Sequence, residues 1–404
     1  LLHQGRLSKH SDKKEHSASM ATTIRSGVTI TICTAWAAIR PCRRLPLDRT
    51  RRLLQLQPPY LSTAFSPQVR CQGVWRSRVR CTSDTSGAPP VTAPGTSDAA
   101  AADEVLLEAP GSFRIYRSGK IDRLNDPTIL PAGVDEATGV ASKDVVLDAG
   151  TGLSVRLYLP NKLQDASAKL PVVVYFHGGA FLIGSARDPT YHKYLNALAS
   201  AAGVLAVSVD YRLAPEHPLP AAYDDSWAAL RWVASAQDEW IADHGNASRL
   251  FVAGDSAGAN IAHEMLVRDG GPRIEGAVLL HPWFSGNAAI EGEPPAAARV
   301  TGLLWSYACR GSAAGGADDP RMNPLASPAL ERLACARMLV TTGLEDGLAA
   351  RNRAYYDAVA ASGWRGRAAW LELEGEGHVF FLGKLECDNA KRLMDRVAAF
   401  IADA

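Results

Sequence analysis

The stretch RLFVAGDSAGANIAH, residues 249–263, joins two different periodicities across a turn. Leu250-Phe251-Val252-Ala253 is an apolar run of strand length, whereas Ala259, Ile261, Ala262 and Met265 recur at helical spacing. Between them lie Gly254-Asp255-Ser256-Ala257-Gly258, small residues with a serine at the tip. Such a turn has two chemical readings. A helix N-terminus attracts anions, so the loop could cradle a phosphate. Alternatively, G-x-S-x-G is a nucleophile elbow, which holds a serine Oγ above the sheet edge on a strained strand-to-helix turn. The motif alone does not choose between them.

The surrounding pattern narrows the choice. KDVVLDAGTGLSVRLYLP alternates as a β-hairpin does, and buried-strand patterns follow at LPVVVYFH, GVLAVSVDY, RLFVAG, EGAVLLHPW, RMLVTTG and AAWLELEG. Helical patterns separate most of them, for example YDDSWAALRWVASAQDEW and ARNRAYYDAVAASG. Strands alternating with helices, several apolar throughout, predict an α/β fold: a mostly parallel sheet covered by helices on both faces. The tail NAKRLMDRVAAFIADA reads as an amphipathic closing helix, with Leu393, Val397, Phe400 and Ile401 on one side.

In an open parallel sheet, reactive groups gather beyond the carboxyl ends of the strands. Three further ends carry chemistry: His177-Gly178-Gly179-Ala180-Phe181 after VVVYF, Glu345-Asp346 after MLVTTGL, and His378 after AAWLELEGEG. With Ser256 they run in the order Gly-Gly, Ser, Asp, His, the chain order of the α/β-hydrolase triad. A serine alcohol needs a base, which His378 would supply, and Asp346 would hold the imidazole in the right tautomer. A developing oxyanion needs backbone donors. Gly178 and Gly179 can approach closely for want of side chains, and Ala257 N–H at the helix start would be a third donor.

Each residue also has a plainer reading. Gly178 and Gly179 could simply end a strand, and His378 could be a satisfied core histidine beside Val379-Phe380-Phe381. Asp346 could be a helix N-cap, with Glu345 its rival for the acidic role. His217 is a second histidine to weigh against His378, and Asp255 is expected to make local hydrogen bonds. It is the four parts in order, at four strand ends, that point to one site.

The four motifs YFHGGAF, DYRLAPEHPLPAAYDD, GDSAGANIAH and EGEGHVFF resemble the plant carboxylesterase family, within the hormone-sensitive-lipase-like group of α/β-hydrolases. The resemblance covers about residues 104–404 and implies an α/β-hydrolase fold with a small cap. It also implies nucleophile Ser256, acid Asp346, base His378, and an oxyanion hole of Gly178, Gly179 and Ala257. Ala180 stands where many members carry a third glycine. The cap would come from the chain before Lys143 and from about Ser285 to Leu325, and Trp283, Trp305 and Tyr307 would line an acyl pocket or belong to the core. The activity implied is that of a serine carboxylic-ester hydrolase on small, short-chain esters, with no cofactor and no metal. Relatives of the resembled group include 2-hydroxyisoflavanone dehydratases and gibberellin receptors. The receptors lack the catalytic histidine, so His378 argues for an enzyme.

Composition sets the remaining bounds. Of 404 residues, 47% are hydrophobic and 21% charged, the balance of an ordinary globular protein with a sizeable core. Residues 1–84 carry a balance of +11 and the remainder −10, so the basic character belongs to the N-terminal stretch and argues about targeting, with no nucleic-acid partner. Residues 1–100 read as a basic, low-order extension, either a transit peptide or a mispredicted leader, and 101–404 as the catalytic domain. The expected location is the cytosol, with the plastid as the alternative that the extension raises. No run reaches the roughly 18 apolar residues that a membrane-spanning helix needs. Cys309, Cys335 and Cys387 are too scattered for a metal site, and oligomeric state is not written in the sequence.

Overall fold

The computed structural model describes residues 30–31, 103–125, 128–161, 169–310 and 316–403. Apart from Ile30–Thr31, the expected extension 1–100 lies outside the described residues. Ile30–Thr31 (β1) pairs in parallel with Val105–Ala109 (β2), which continues as a meander through Phe113–Tyr116 (β3) and Ile121–Arg123 (β4).

The main sheet begins with the expected hairpin. Val140–Asp148 (β5) pairs antiparallel with Leu153–Pro160 (β6), and the Asp148 carboxylate accepts the Gly150 N–H at 2.7 Å inside the turn. There follow Leu170–Phe176 (β7), Leu205–Asp210 (β8), Gly245–Asp255 (β9), Ile274–Leu280 (β10), Cys335–Gly343 (β11) and Arg367–Leu373 (β12). Their order across the sheet is β12-β11-β10-β9-β7-β8-β6-β5, parallel from β12 to β8 and antiparallel over the last two pairings.

Both faces are covered, and the strand sequences show why. In β7, Val172, Val174 and Phe176 enter one apolar cluster while Val173 and Tyr175 enter the other. Because side chains alternate across a strand, a continuous apolar run requires apolar neighbours on both faces. Pro189–Ala202 (α1) and Asp388–Ala402 (α8) pack on one face. Ala221–Ala234 (α2), Ala257–Val267 (α4) and Ala349–Ala361 (α6) pack on the other. The amphipathic stripe expected at the C-terminus is observed: Leu393, Val397, Phe400 and Ile401 are all buried. Glu239–His244 (α3) leads into β9, where the Asn246-Ala247-Ser248 sequon opens the strand with Ala247 and Ser248 exposed.

The two segments expected to form a cap meet each other. Pro295–Ala308 (α5) carries Tyr307, whose hydroxyl donates to Gly119 O at 2.7 Å in the β3–β4 turn. Arg123 of β4 donates to Leu182 O, Ala214 O and the Glu216 carboxylate, which pins the meander to the chain that follows the Gly178-Gly179 turn.

Candidate active site

Ser256 sits between β9 and α4 with φ 52 and ψ −118, a conformation that a residue with a Cβ adopts only under constraint. The constraint is packing by its flanking glycines. A Cβ on Gly254 would lie 2.4 Å from Gly258 O, and one on Gly258 would lie 1.9 Å from Phe176 O. The two glycines therefore let the elbow close against the end of β7, which leaves the serine at the tip.

Three of the expected residues converge there. Ser256 Oγ is 2.8 Å from His378 Nε2, and His378 Nδ1 is 2.8 Å from Asp346 Oδ2. Asp346 follows β11, and His378 lies in the loop between β12 and Phe380–Gly383 (α7). A close approach sets their spacing: a Cβ on Gly343 would lie 2.2 Å from Glu376 O, so the two loops meet backbone to backbone. Asp346 Oδ1 accepts the Leu348 N–H at 2.9 Å, as a capping carboxylate does, so the capping and site roles coincide. Glu345 is exposed and only its N–H reaches the neighbouring loop, donating to Glu376 O. His217 is exposed on the loop before α2.

The electrostatics follow from burial and pairing. Burial works to lower the His378 pKa, but the Asp346 carboxylate, by charge and hydrogen bond, raises it above the ordinary histidine value. Burial works upward on Asp346, whereas the charge of His378 and hydrogen bonds from His281 and His378 hold it well below the usual carboxylate range. The His378 side chain keeps 33% of its surface exposed, an open side for a reactant, while the Asp346 side chain keeps 1%.

The expected oxyanion donors need one correction. The Gly178 N–H is not free, because it donates to Tyr191 Oη at 2.8 Å and to Asp255 Oδ1 at 3.1 Å. The next turn of the loop presents donors instead. Gly179 (φ 104) and Ala180 (φ 54) both lie in the left-handed region, and a Cβ on Gly179 would lie 2.2 Å from Ile183 O. Among the described residues, no acceptor takes the N–H of Gly179, Ala180 or Ala257.

Other residues surround the site; Asp255 makes the local hydrogen bonds expected of it, while Asn260 and His281 were not singled out in the sequence. Asp255 is fully buried and accepts from Tyr175 Oη at 2.8 Å and Tyr191 Oη at 3.1 Å; burial pushes its pKa up to about 6 against these bonds. Asn260 on α4 accepts from Tyr223 Oη and donates to Trp283 O and Arg321 O, which joins the elbow helix to α2 and to the chain after β10. His281 ends β10 and directs Nδ1 at Asp346 Oδ2, 3.2 Å away. The strand-end rule that finds Asp346 and His378 also applies to EGAVLLHPW and would have found His281. Trp305 is fully buried among Phe181 and Trp283, as core, and Tyr307 is committed to Gly119 O. Trp283 donates its backbone N–H to Ser256 O, so it adjoins the elbow.

The donor atoms of His281, Asp346 and His378 lie within 4.8 Å of one another, a spacing that suits a cation. A histidine whose Nδ1 carries the proton toward Asp346 has no lone pair there to offer one.

A family model described as alpha/beta hydrolase fold matches residues 173–382, which span the Gly-Gly turn, Ser256, Asp346 and His378. The chain is 44% identical over 308 residues to tuliposide A-converting enzyme 1, chloroplastic, of Tulipa gesneriana, covering 74% of this chain and 78% of that one. It is 41% identical over 306 residues to probable carboxylesterase 2 of Arabidopsis thaliana, covering 74% and 96%. Among solved structures, a hyperthermophilic esterase from Pyrobaculum calidifontis superimposes with a TM-score of 0.54 at 28% identity, covering 67% of this chain and 86% of that one. The chain belongs to the alpha/beta hydrolase fold family, in its ester-hydrolysing branch with the plant carboxylesterases.

Proposed function

We propose that the protein is a serine carboxylesterase that cleaves small esters through an acyl-enzyme on Ser256. The observation that carries this reading is the continuous chain Ser256 Oγ–His378 Nε2 and His378 Nδ1–Asp346 Oδ2, both links 2.8 Å. Ser256 Oγ attacks the ester carbonyl carbon as its proton passes to His378 Nε2. The carbonyl oxygen takes the negative charge and receives hydrogen bonds from Gly179, Ala180 and Ala257. Collapse breaks the C–O bond to the alcohol, and His378 Nε2 returns the proton to that oxygen. A water then repeats the sequence, giving up its proton to His378 and releasing the carboxylic acid and Ser256. Asp346 stays ionised throughout and stabilises the imidazolium.

The test is hydrolysis of p-nitrophenyl acetate and butyrate by the full chain beside Ser256→Ala and His378→Ala. A burst followed by turnover, both lost in the two variants, supports the reading. Turnover that survives Ser256→Ala in a folded protein removes it. The chloroplastic designation of the tulip relative favours the plastid alternative over the cytosol for this chain. Fusion of residues 20–100 to a fluorescent protein decides it by whether the reporter enters plastids.

A further inference from the structure

The proposed chemistry leaves unused His281, a histidine in contact with Asp346. It is completely buried at the end of β10, and its backbone stands at φ 48, a region in which His, Asn and Asp occur more often than other side chains. Its ring packs against Phe380 and Phe381, with centroids 5.8 and 5.7 Å away. Its Nδ1 lies 3.2 Å from Asp346 Oδ2, the same oxygen that faces His378 Nδ1. The Val379 N–H also points at Nδ1, from 3.3 Å, and Nε2 is buried with no partner.

Two tautomers compete. If the proton sits on Nε2, that N–H is a buried orphan donor, and the Nδ1 lone pair, though it accepts the Val379 N–H, faces a carboxylate at 3.2 Å. Both features are unfavourable in a low-dielectric interior. If the proton sits on Nδ1, it makes a charge-assisted hydrogen bond to Asp346, which outweighs the two costs: the Val379 N–H loses its acceptor and the weak acceptor Nε2 goes unsatisfied. Burial lowers the pKa of His281, so a neutral ring is expected in either case.

We propose that His281, as the neutral Nδ1–H tautomer, is a positioning residue that fixes the Asp346 carboxylate against His378. With Leu348 N–H on Oδ1 and two imidazoles on Oδ2, the carboxylate has a single orientation. It therefore holds His378 with Nε2 aimed at Ser256. This inference rests on the esterase reading for its kinetic consequences, but the tautomer itself does not.

Two substitutions separate positioning from packing, because they fail in opposite ways. His281→Phe keeps the ring against Phe380 and Phe381 and loses the donor. His281→Asn loses the ring but places its amide Nδ2 where Nδ1 stood, and asparagine tolerates the left-handed backbone. Loss of one charge-assisted hydrogen bond to a reacting array predicts a fall in kcat of about 10- to 100-fold in His281→Phe, with KM within about twofold. His281→Asn recovers kcat to within about fivefold of the parent, even though it melts lower. A packing role predicts the reverse order, and that order would overturn the proposal. So would a folded His281→Phe protein with parental kcat. Nitrogen-15 NMR of the imidazoles in the parent full chain is independent of both variants. A protonated Nδ1 on His281 supports the assignment and a protonated Nε2 refutes it. Ester turnover that survives Ser256→Ala would sink the esterase reading instead, leaving the tautomer result standing.

Discussion

Gly258 gives the sharpest test of how the elbow is built. Alanine at this position places a methyl carbon 1.9 Å from Phe176 O, 2.6 Å from Phe176 C and 2.7 Å from His177 O, all backbone atoms. Ordinary van der Waals contact begins near 3.4 Å, so α4 and the end of β7 would have to part by about 1.5 Å. Ser256 starts α4 and moves with it, which stretches the 2.8 Å contact to His378 beyond hydrogen-bonding range. The same strand end leads into Gly179 and Ala180, so the donors proposed for the oxyanion would shift relative to Ser256 as well. Loss of general-base assistance alone is worth about 100- to 10,000-fold, so kcat of Gly258→Ala should fall at least ~100-fold. Overpacking should destabilise the fold by about 1–3 kcal/mol or more. Gly377 is the control: it precedes His378 directly, yet a Cβ there meets nothing within 4 Å. Gly377→Ala should therefore keep most of its turnover. The assay is p-nitrophenyl butyrate turnover by the full chain, with a thermal melt on each variant. A folded Gly258→Ala protein that retains more than about a tenth of the parental kcat would refute the steric argument.

Three other perturbations follow from the site. In the proposed reaction His378 must be neutral to accept the Ser256 proton, and its pKa is raised, mainly by Asp346, so the acid limb of kcat/KM should lie above the ordinary histidine value. Asp346→Asn should move that limb to lower pH and reduce kcat by about 10,000-fold; a limb that stays put would contradict the pairing. Asp255 titrates at about 6 in the fold against a reference near 3.8. The folded state thus binds more protons across that window, and this group's contribution to stability is present below about pH 4 and lost as pH rises through 6. Urea melts of Asp255→Asn should show that decline removed, and an unchanged slope would exclude Asp255 as its source. Arg351 and Glu293 form a buried ion pair with each side chain 2% exposed, and Arg351 also donates to Gly286 O and Ala288 O. Arg351→Met leaves Glu293 buried and unpaired, so it should cost about 3–5 kcal/mol, whereas pairing it with Glu293→Gln should recover part of that loss in the same melts.

How much of this was legible in the sequence depended on the range of the interaction. Side-chain periodicity is a local property of strand and helix geometry. The apolar runs of β7 to β11, the alternation of β5 and β6, and the stripe of α8 could therefore be read directly, and with them the covered parallel sheet. The order Gly-Gly, Ser, Asp, His at four strand ends was equally readable, because a parallel sheet brings all such ends to one edge. Glycines 254 and 258 were legible as a motif, since the turn demands them whatever surrounds it.

What only the folded chain decided was the direction of individual hydrogen bonds. Gly178 and Ala180 are two residues apart and look alike as donors in sequence. The Gly178 peptide faces Tyr191 on α1 and Asp255 at the end of β9, partners distant in the chain, whereas the N–H groups of Gly179 and Ala180 find no acceptor among the described residues. The choice of Asp346 over its neighbour Glu345 depends on which side chain turns inward between the loops that Gly343 and Glu376 bring into contact. His281 reaches Asp346 only because β10 pairs with β11, which places Leu280 beside Thr341 and the two strand ends side by side. Periodicity specifies which face of an element is buried, but hydrogen-bond partners are chosen between elements, and that choice exists only once the sheet has assembled.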